Sequence, residues 1–318
     1  MSASLEGLMR LAREGDFPTR LMIGRNATTP AEVLFALAKD AEADIRASVA
    51  ANPRAPFSVL HLLVADESPV VREALANRIA ILVPGLTGST HDRLTSLVEP
   101  ILLRLVEDTV LAVRSIIANA VKTLPNICRP AVLRLAMDVE LQVAEPVIRH
   151  SPILTEDDLL NLIAAPPSPI TVLAIARRPG ISAAISAALI ADGDAAAIAA
   201  LLDNATAELR DLSQAALILR SRERHEWLAK LVQRPDLSAE SILKLVQVVI
   251  EVMLQPLLQR DGLKDQAMFS IKQSIADRIG LPMPSPPRGL AAKGIDPLTR
   301  GFPAKSMVWP SDLAVRQR

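Results

Sequence analysis

The sequence has no tyrosine, five phenylalanines and two tryptophans among 318 residues. Its interior must therefore be built from leucine, isoleucine, valine and alanine, side chains that suit helices and let them approach closely. Glycine is scarce at 12 residues, and neither GxGxxG nor GxxxxGK occurs, which removes the phosphate cradles of common nucleotide-binding folds. The single cysteine, Cys128, cannot close an internal disulfide and fits a reducing compartment. An excess of either charge is missing too, since 35 basic residues stand against 35 acidic ones. No global field exists to steer nucleic acid or anionic membrane toward the chain.

Long apolar runs are also lacking. The opening MSASLEGLMRLAREGD is interrupted by acidic residues and has no uninterrupted export-signal core. The longest uncharged run, Leu159 to Ala176, holds Pro166, Pro167 and Pro169 at its middle, where they would break a membrane-spanning helix. The chain is read as cytoplasmic, with no transmembrane segment.

What is present is an internal repeat. NATTPAEVLFALAKDAEADIRASVAA begins at Asn26 and NPRAPFSVLHLLVADESPVVREALAN follows at once from Asn52, so the period is the step from Asn26 to Asn52. The matched positions are Asn26 and Asn52, Pro30 and Pro56, Leu34 and Leu60, Asp40 and Asp66, Arg46 and Arg72. Proline fits the start of a helix, where its missing N–H is not needed. Val33, Leu34, Leu37 and Ala38 then form one helical face over an expected helix Ala31 to Lys39. The pattern goes on with Asp108 and Arg114, then Asp138, where Ala144 replaces the arginine. Arg20, six residues before Asn26, suggests a partial first unit that caps the array.

Each Asp falls in the turn between two helices and each Arg in the first turns of the second helix, whose side chains lean back toward that turn. The sequence thus predicts a structural ladder of Asp40, Arg46, Asp66, Arg72, Asp108 and Arg114, with each Arg reaching the Asp of its own or a neighbouring repeat. Such a charge-assisted contact is worth roughly 1.5 to 3 kcal/mol where partly buried. Farther on, AIARRPGISAAISAAL and LVQRPDLSAESILKL carry Arg178-Pro179 and Arg234-Pro235 at matching points, with LLDNATAELRD between them. These read as helix, tight turn and helix, in units of about 28 residues, with Ser182 and Ser238 as N-caps.

Two resemblances rest on these blocks. The stretch from Asn26 to Asn77, with Ile45-Arg46 and Val71-Arg72 completing its pattern, resembles leucine-rich-repeat-variant and HEAT-like units. That resemblance implies a right-handed helical array used as a binding surface. Some leucine-rich-repeat-variant proteins carry an iron–sulfur cluster on clustered cysteines, which a chain with only Cys128 does not imply. The stretch from about Leu94 to Leu258 resembles the bacterial domain of unknown function 2336, common in alphaproteobacteria, through VAEPVIRHSPILTEDDLL, ARRPGIS, LLDNATAEL and QRPDLS. No established activity comes with that family.

Candidates for chemistry are few. His61, His91, His150 and His225 share no metal-ligand spacing. The acids of TEDDLL suit a helix N-terminus capped by Thr155, and Asp192 and Asp194 lack the rest of a calcium loop. No catalytic, cofactor or metal site is expected, a small-molecule ligand is left open, nucleic acid is not the expected partner, and the protein is read as a non-enzyme. Arg220, Arg222 and Arg224 beside His225 and Trp227 are candidates for partner contact, although interleaved Glu223 and Glu226 also fit a solvated helix face.

From Leu281 the chain is rich in proline and loses helical periodicity. Six basic and two acidic residues give this tail a net charge of plus 4. Its Phe302 and Trp309 are candidate anchors on the solenoid or a partner, though the segment also reads as a disordered tail with incidental aromatics. The expected organisation is residues 1–90 as cap and HEAT-like repeats, 91–280 as a divergent helical-repeat domain and 281–318 as tail. The fold class is all-α, a HEAT-like α-solenoid. Its expected role is that of a scaffold or regulatory protein with a protein partner, and the alternative is a HEAT-like DNA-binding or DNA-repair protein.

Overall fold

Successive repeats bury the same positions. Val33 and Val59, Leu34 and Leu60, Leu37 and Leu63, Ile45 and Val71, Val49 and Leu75, Ala50 and Ala76 are all withdrawn from solvent. The computed structural model describes residues 4–85 and 91–258, and these residues contain helices and no strand. The helices follow one another as pairs: α1 (Leu5–Glu14) with α2 (Phe17–Arg25), α3 (Ala31–Leu37) with α4 (Ala43–Ala51), α5 (Phe57–Leu63) with α6 (Pro69–Leu82), and α7 (His91–Leu105) with α8 (Leu111–Val121). They continue with α9 (Arg129–Ala136) and α10 (Leu141–His150), α11 (Glu156–Ala164) and α12 (Pro169–Ala176), α13 (Ala183–Asp192) and α14 (Ala195–Asp203), α15 (Asp211–Arg220) and α16 (His225–Val232), and finally α17 (Ala239–Leu258).

Second helices stack on second helices in an unbroken row from α2 to α16, most closely between α4 and α6. This is a helical solenoid. At one junction of the row a small residue sets the approach. Gly24 of α2 faces Ser48 of α4 so closely that a Cβ at Gly24 would lie 2.1 Å from the Ser48 Oγ.

Local signals set the helix boundaries. Pro30 and Pro56 occupy the N-cap positions of α3 and α5, one residue ahead of the first helical residue. The helix expected to reach Lys39 ends at Leu37, and the backbone N–H groups of Lys39 and Asp40 turn back to Ala36 and Leu37. Thr155 caps α11 in a reciprocal box with Asp158, and Asp194 caps α14 by accepting from the Ala197 N–H at 2.8 Å. The expected partial first unit is instead a complete pair, since α1 and α2 are both formed.

Candidate interaction surface

The two edges of the stack are held by different polar devices. Along the edge where the helices of a pair join, each aspartate sits in the turn and accepts from the backbone N–H two residues on. Asp40 takes Glu42, Asp66 takes Ser68, Asp108 takes Val110 and Asp138 takes Glu140. Those four N–H groups belong to the N-cap residues of α4, α6, α8 and α10, whose own side chains make no cap bond.

The arginines then join neighbouring repeats. Arg46 donates Nε and Nη2 to Asp66 at 2.7 and 2.9 Å while its Nη1 reaches the Asp40 carbonyl at 2.8 Å. Arg72 grips Asp108 and the Asp66 carbonyl, and Arg114 grips Asp138 and the Asp108 carbonyl, in the same way. Arg20 lies 3.2 Å from Asp40 and begins the series. The four carboxylate side chains are between 5 and 8% exposed. Hydrogen bonds donated to these carboxylates hold the guanidinium groups of Arg46, Arg72 and Arg114 more firmly charged than usual, against the opposing effect of burial.

At the fifth position the ladder stops. Ala144 stands four residues after the N-cap of α10, where α2, α4, α6 and α8 carry arginine, and a small void opens between Asp138, Ala144, Ser168 and Thr171. The Thr171 hydroxyl is buried there without a partner.

The opposite edge, where one pair joins the next, carries bonds to helix C-termini. Asn52 donates to the carbonyls of Gly24 and Asn26, 28 and 26 residues back. Asn204 donates to Ala176 and Arg178 at the same two separations. Arg178 holds the Ile148 and Ser151 carbonyls at the end of α10, and Arg234 holds Leu201, Asn204 and Ala207 at the end of α14. These side chains satisfy carbonyls that a helix end leaves without intrahelical partners. Gln214 does the same work without charge, donating to Leu209 and Asp236 and accepting from Ser238. Gly180, the one positive-φ glycine among the described residues at 66°, turns the chain after Arg178-Pro179 and donates to Thr206. The sequence marked Arg178, Arg234 and Asn204 only as turn signals and missed Gln214 altogether.

The remaining candidates are also placed. Arg220 and Arg224 flank the Trp227 ring at 5.7 and 5.4 Å, and Trp227 is 2% exposed. Arg220 donates to the Ile190 carbonyl, and Arg222 pairs with Glu251 at 3.2 Å. This cluster binds α15, α16 and α17 to one another and to α13. Phe302 and Trp309, with the tail from 281, lie outside the described residues. Among the described residues no three His, Cys, Asp or Glu side chains gather as metal ligands would. No described helix is long and apolar enough to cross a membrane. Burial raises the Cys128 thiol above its ordinary pKa, which keeps it protonated.

Two open grooves run across the second-helix row. One, of about 570 Å3, crosses α2, α4 and α6 and is lined by Phe17, Leu21, Arg25, Ala47 and Val70 among others. The other, of about 590 Å3, crosses α10, α12 and α14, with Ala196, Ala199 and Ala200 as floor and Arg149, Arg177 and Asp203 at its rim.

No curated protein matches the chain. The family match begins at Val143, where the arginine ladder has ended, rather than near Leu94, and it runs on past Leu258. Residues 143–285 match the model of a family described as an uncharacterised protein conserved in bacteria, domain of unknown function 2336.

Proposed function

We propose that this chain is a non-enzymatic helical-repeat scaffold or regulatory protein that binds another protein through the exposed surface of its second helices. One observation carries the reading. The withdrawn Arg, Asp, Asn and Gln side chains are engaged in joining repeats, while two large concavities among the described residues are open grooves on one row of helices. Stacked repeats present an extended surface that suits a protein partner, whereas small-molecule sites are enclosed and largely apolar. The tail, through Phe302 and Trp309, adds a second element of recognition.

Site-specific photo-crosslinking in cells tests this. A photoreactive residue at Leu21, in the first groove, should trap a discrete protein partner, and the same residue at Leu62, exposed on α5, should not. Adducts lost on nuclease treatment would replace this reading with the DNA-binding alternative. An absence of adducts from the groove would end it. Repeating the experiment on a chain ending at Gly280 assigns the tail its part.

A further inference from the structure

The groove over α10, α12 and α14 has an unbalanced rim. Arg149 and Arg177 both approach the same oxygen of Glu145, at 3.6 and 3.4 Å, so one carboxylate serves two guanidinium groups. The Arg149 Nε is buried and has no partner. Arg178 beneath them meets only carbonyls, and Lys122 meets the neutral Asn119. Asp203, the other acid of the rim, is already taken by Lys230. The groove's own two guanidinium groups are thus left to share Glu145 beside them, while the one acid of its lining is occupied elsewhere. The crowding is felt by His150, whose imidazole is kept below its ordinary pKa first by burial and then by the charges of Arg149, Lys122 and Arg178.

The floor has a different character. Ala196, Ala199, Ala200 and Ala205 make it small and apolar, beside Leu173 and Pro179. Three helices at spacings of about 8–10 Å cover roughly 20 Å, the reach of about six extended residues. Among the described residues the groove has no aromatic side chain on which a base could stack, as single-stranded nucleic acid would require.

We propose that this groove receives an extended acidic segment of the partner protein, with its carboxylates on Arg149 and Arg177 and its small side chains on the alanine floor. The inference rests on the scaffold reading and names the chemistry of the partner. Glu145 then acts as an internal competitor for the arginines.

The test uses the full chain and a fluorescent peptide of alternating glutamate and alanine, followed by anisotropy at low and moderate salt. Arg149→Glu with Arg177→Glu should weaken binding about tenfold or more, and Ala196→Trp, which fills the exposed floor, should weaken it as well. Arg210→Glu, at a residue 78% exposed and outside the groove, should leave binding unchanged. Glu145→Gln should tighten it severalfold, a gain that a merely structural role for Glu145 would not produce. Circular dichroism confirms that each variant is folded. The proposal is overturned if the wild-type chain does not bind the peptide at low salt, if the double reversal leaves binding intact, or if Glu145→Gln fails to tighten it. An oligonucleotide of equal charge binding more tightly through the same arginines would also overturn it. If the peptide fails while protein adducts form at Leu21, the scaffold reading stands without this site; if both fail, both fall.

Discussion

Arg46 bonds both carboxylate oxygens of Asp66, 20 residues away, and leaves its own Asp40 only a backbone contact. Each arginine is thus a fastener between repeats. Removing the acid leaves a nearly buried guanidinium facing an amide that cannot neutralise it. Asp66→Asn should cost about 2–4 kcal/mol, read as a lower urea midpoint, and Arg46→Ala should cost a similar amount.

The same pair makes stability acid-sensitive. Burial by itself would raise the Asp66 pKa, but hydrogen bonds from Arg46 and the Ser68 N–H, with the charges of Arg46 and Arg72, outweigh it and hold the carboxyl below its ordinary value. Because the folded value lies below the unfolded one, near 3.9, the contribution is complete above about pH 4 and is lost as pH falls through the folded value. Urea midpoints of the wild type and Asp66→Asn, well separated at neutral pH, should converge in that acid range.

Asn52 and Asn204 make matching bonds in parts of the chain whose sequences look unrelated. Replacing either amide by a carboxylate removes two donations and sets a negative charge against carbonyl oxygens. Asn52→Asp and Asn204→Asp should each destabilise by about 2–3 kcal/mol. A large effect at one site and none at the other would separate the two devices.

The missing rung can be rebuilt. In the other turns the aspartate lies two residues before the N-cap of the second helix, which for α12 is Pro166, since Ser168 is the cap. Ala144→Arg alone should destabilise, because it places a charge beside a void with no carboxylate opposite. Combined with Pro166→Asp it should be more stable than the sum of the single changes by about 1–3 kcal/mol, measured as a double-mutant cycle.

Close approach of α2 and α4 depends on Gly24. A methyl there displaces the Ser48 hydroxyl from its bond to the Ile45 carbonyl. Ser48→Ala should relieve the clash, so that Gly24→Ala is better tolerated in that background, by about 1 kcal/mol of favourable coupling. Thermal denaturation of the four chains gives the value.

Much of this was legible in the sequence, and the gaps have physical reasons. The step from Asn26 to Asn52, the turn aspartates and the apolar seams are written in side chains, and so is the break at Ala144. The direction of Arg46 is not, because a six-residue spacing to Asp40 fits a bond within the repeat as well as one beyond it. Only the stacked geometry sends Nε and Nη2 forward and Nη1 back. The rung from Arg72 to Asp108 is hidden by the length of chain between them, which holds most of the long α6 and all of α7. Asn204, Arg178 and Arg234 act on main-chain carbonyls, which every sequence contains and none advertises. The groove escaped notice because its arginines are distant in sequence and its floor is plain alanine.

The two margins of a stack of coupled units need not be fastened alike. Between α10 and α12 the Asp138 edge has no arginine crossing it, yet Arg178 still clasps the end of α10 on the other side. A pull on these helices therefore meets a fastening on one margin and a gap on the other, as at the spine and open side of a book. Any opening of this junction, at the threshold of the segment that matches the bacterial family, would swing about Arg178.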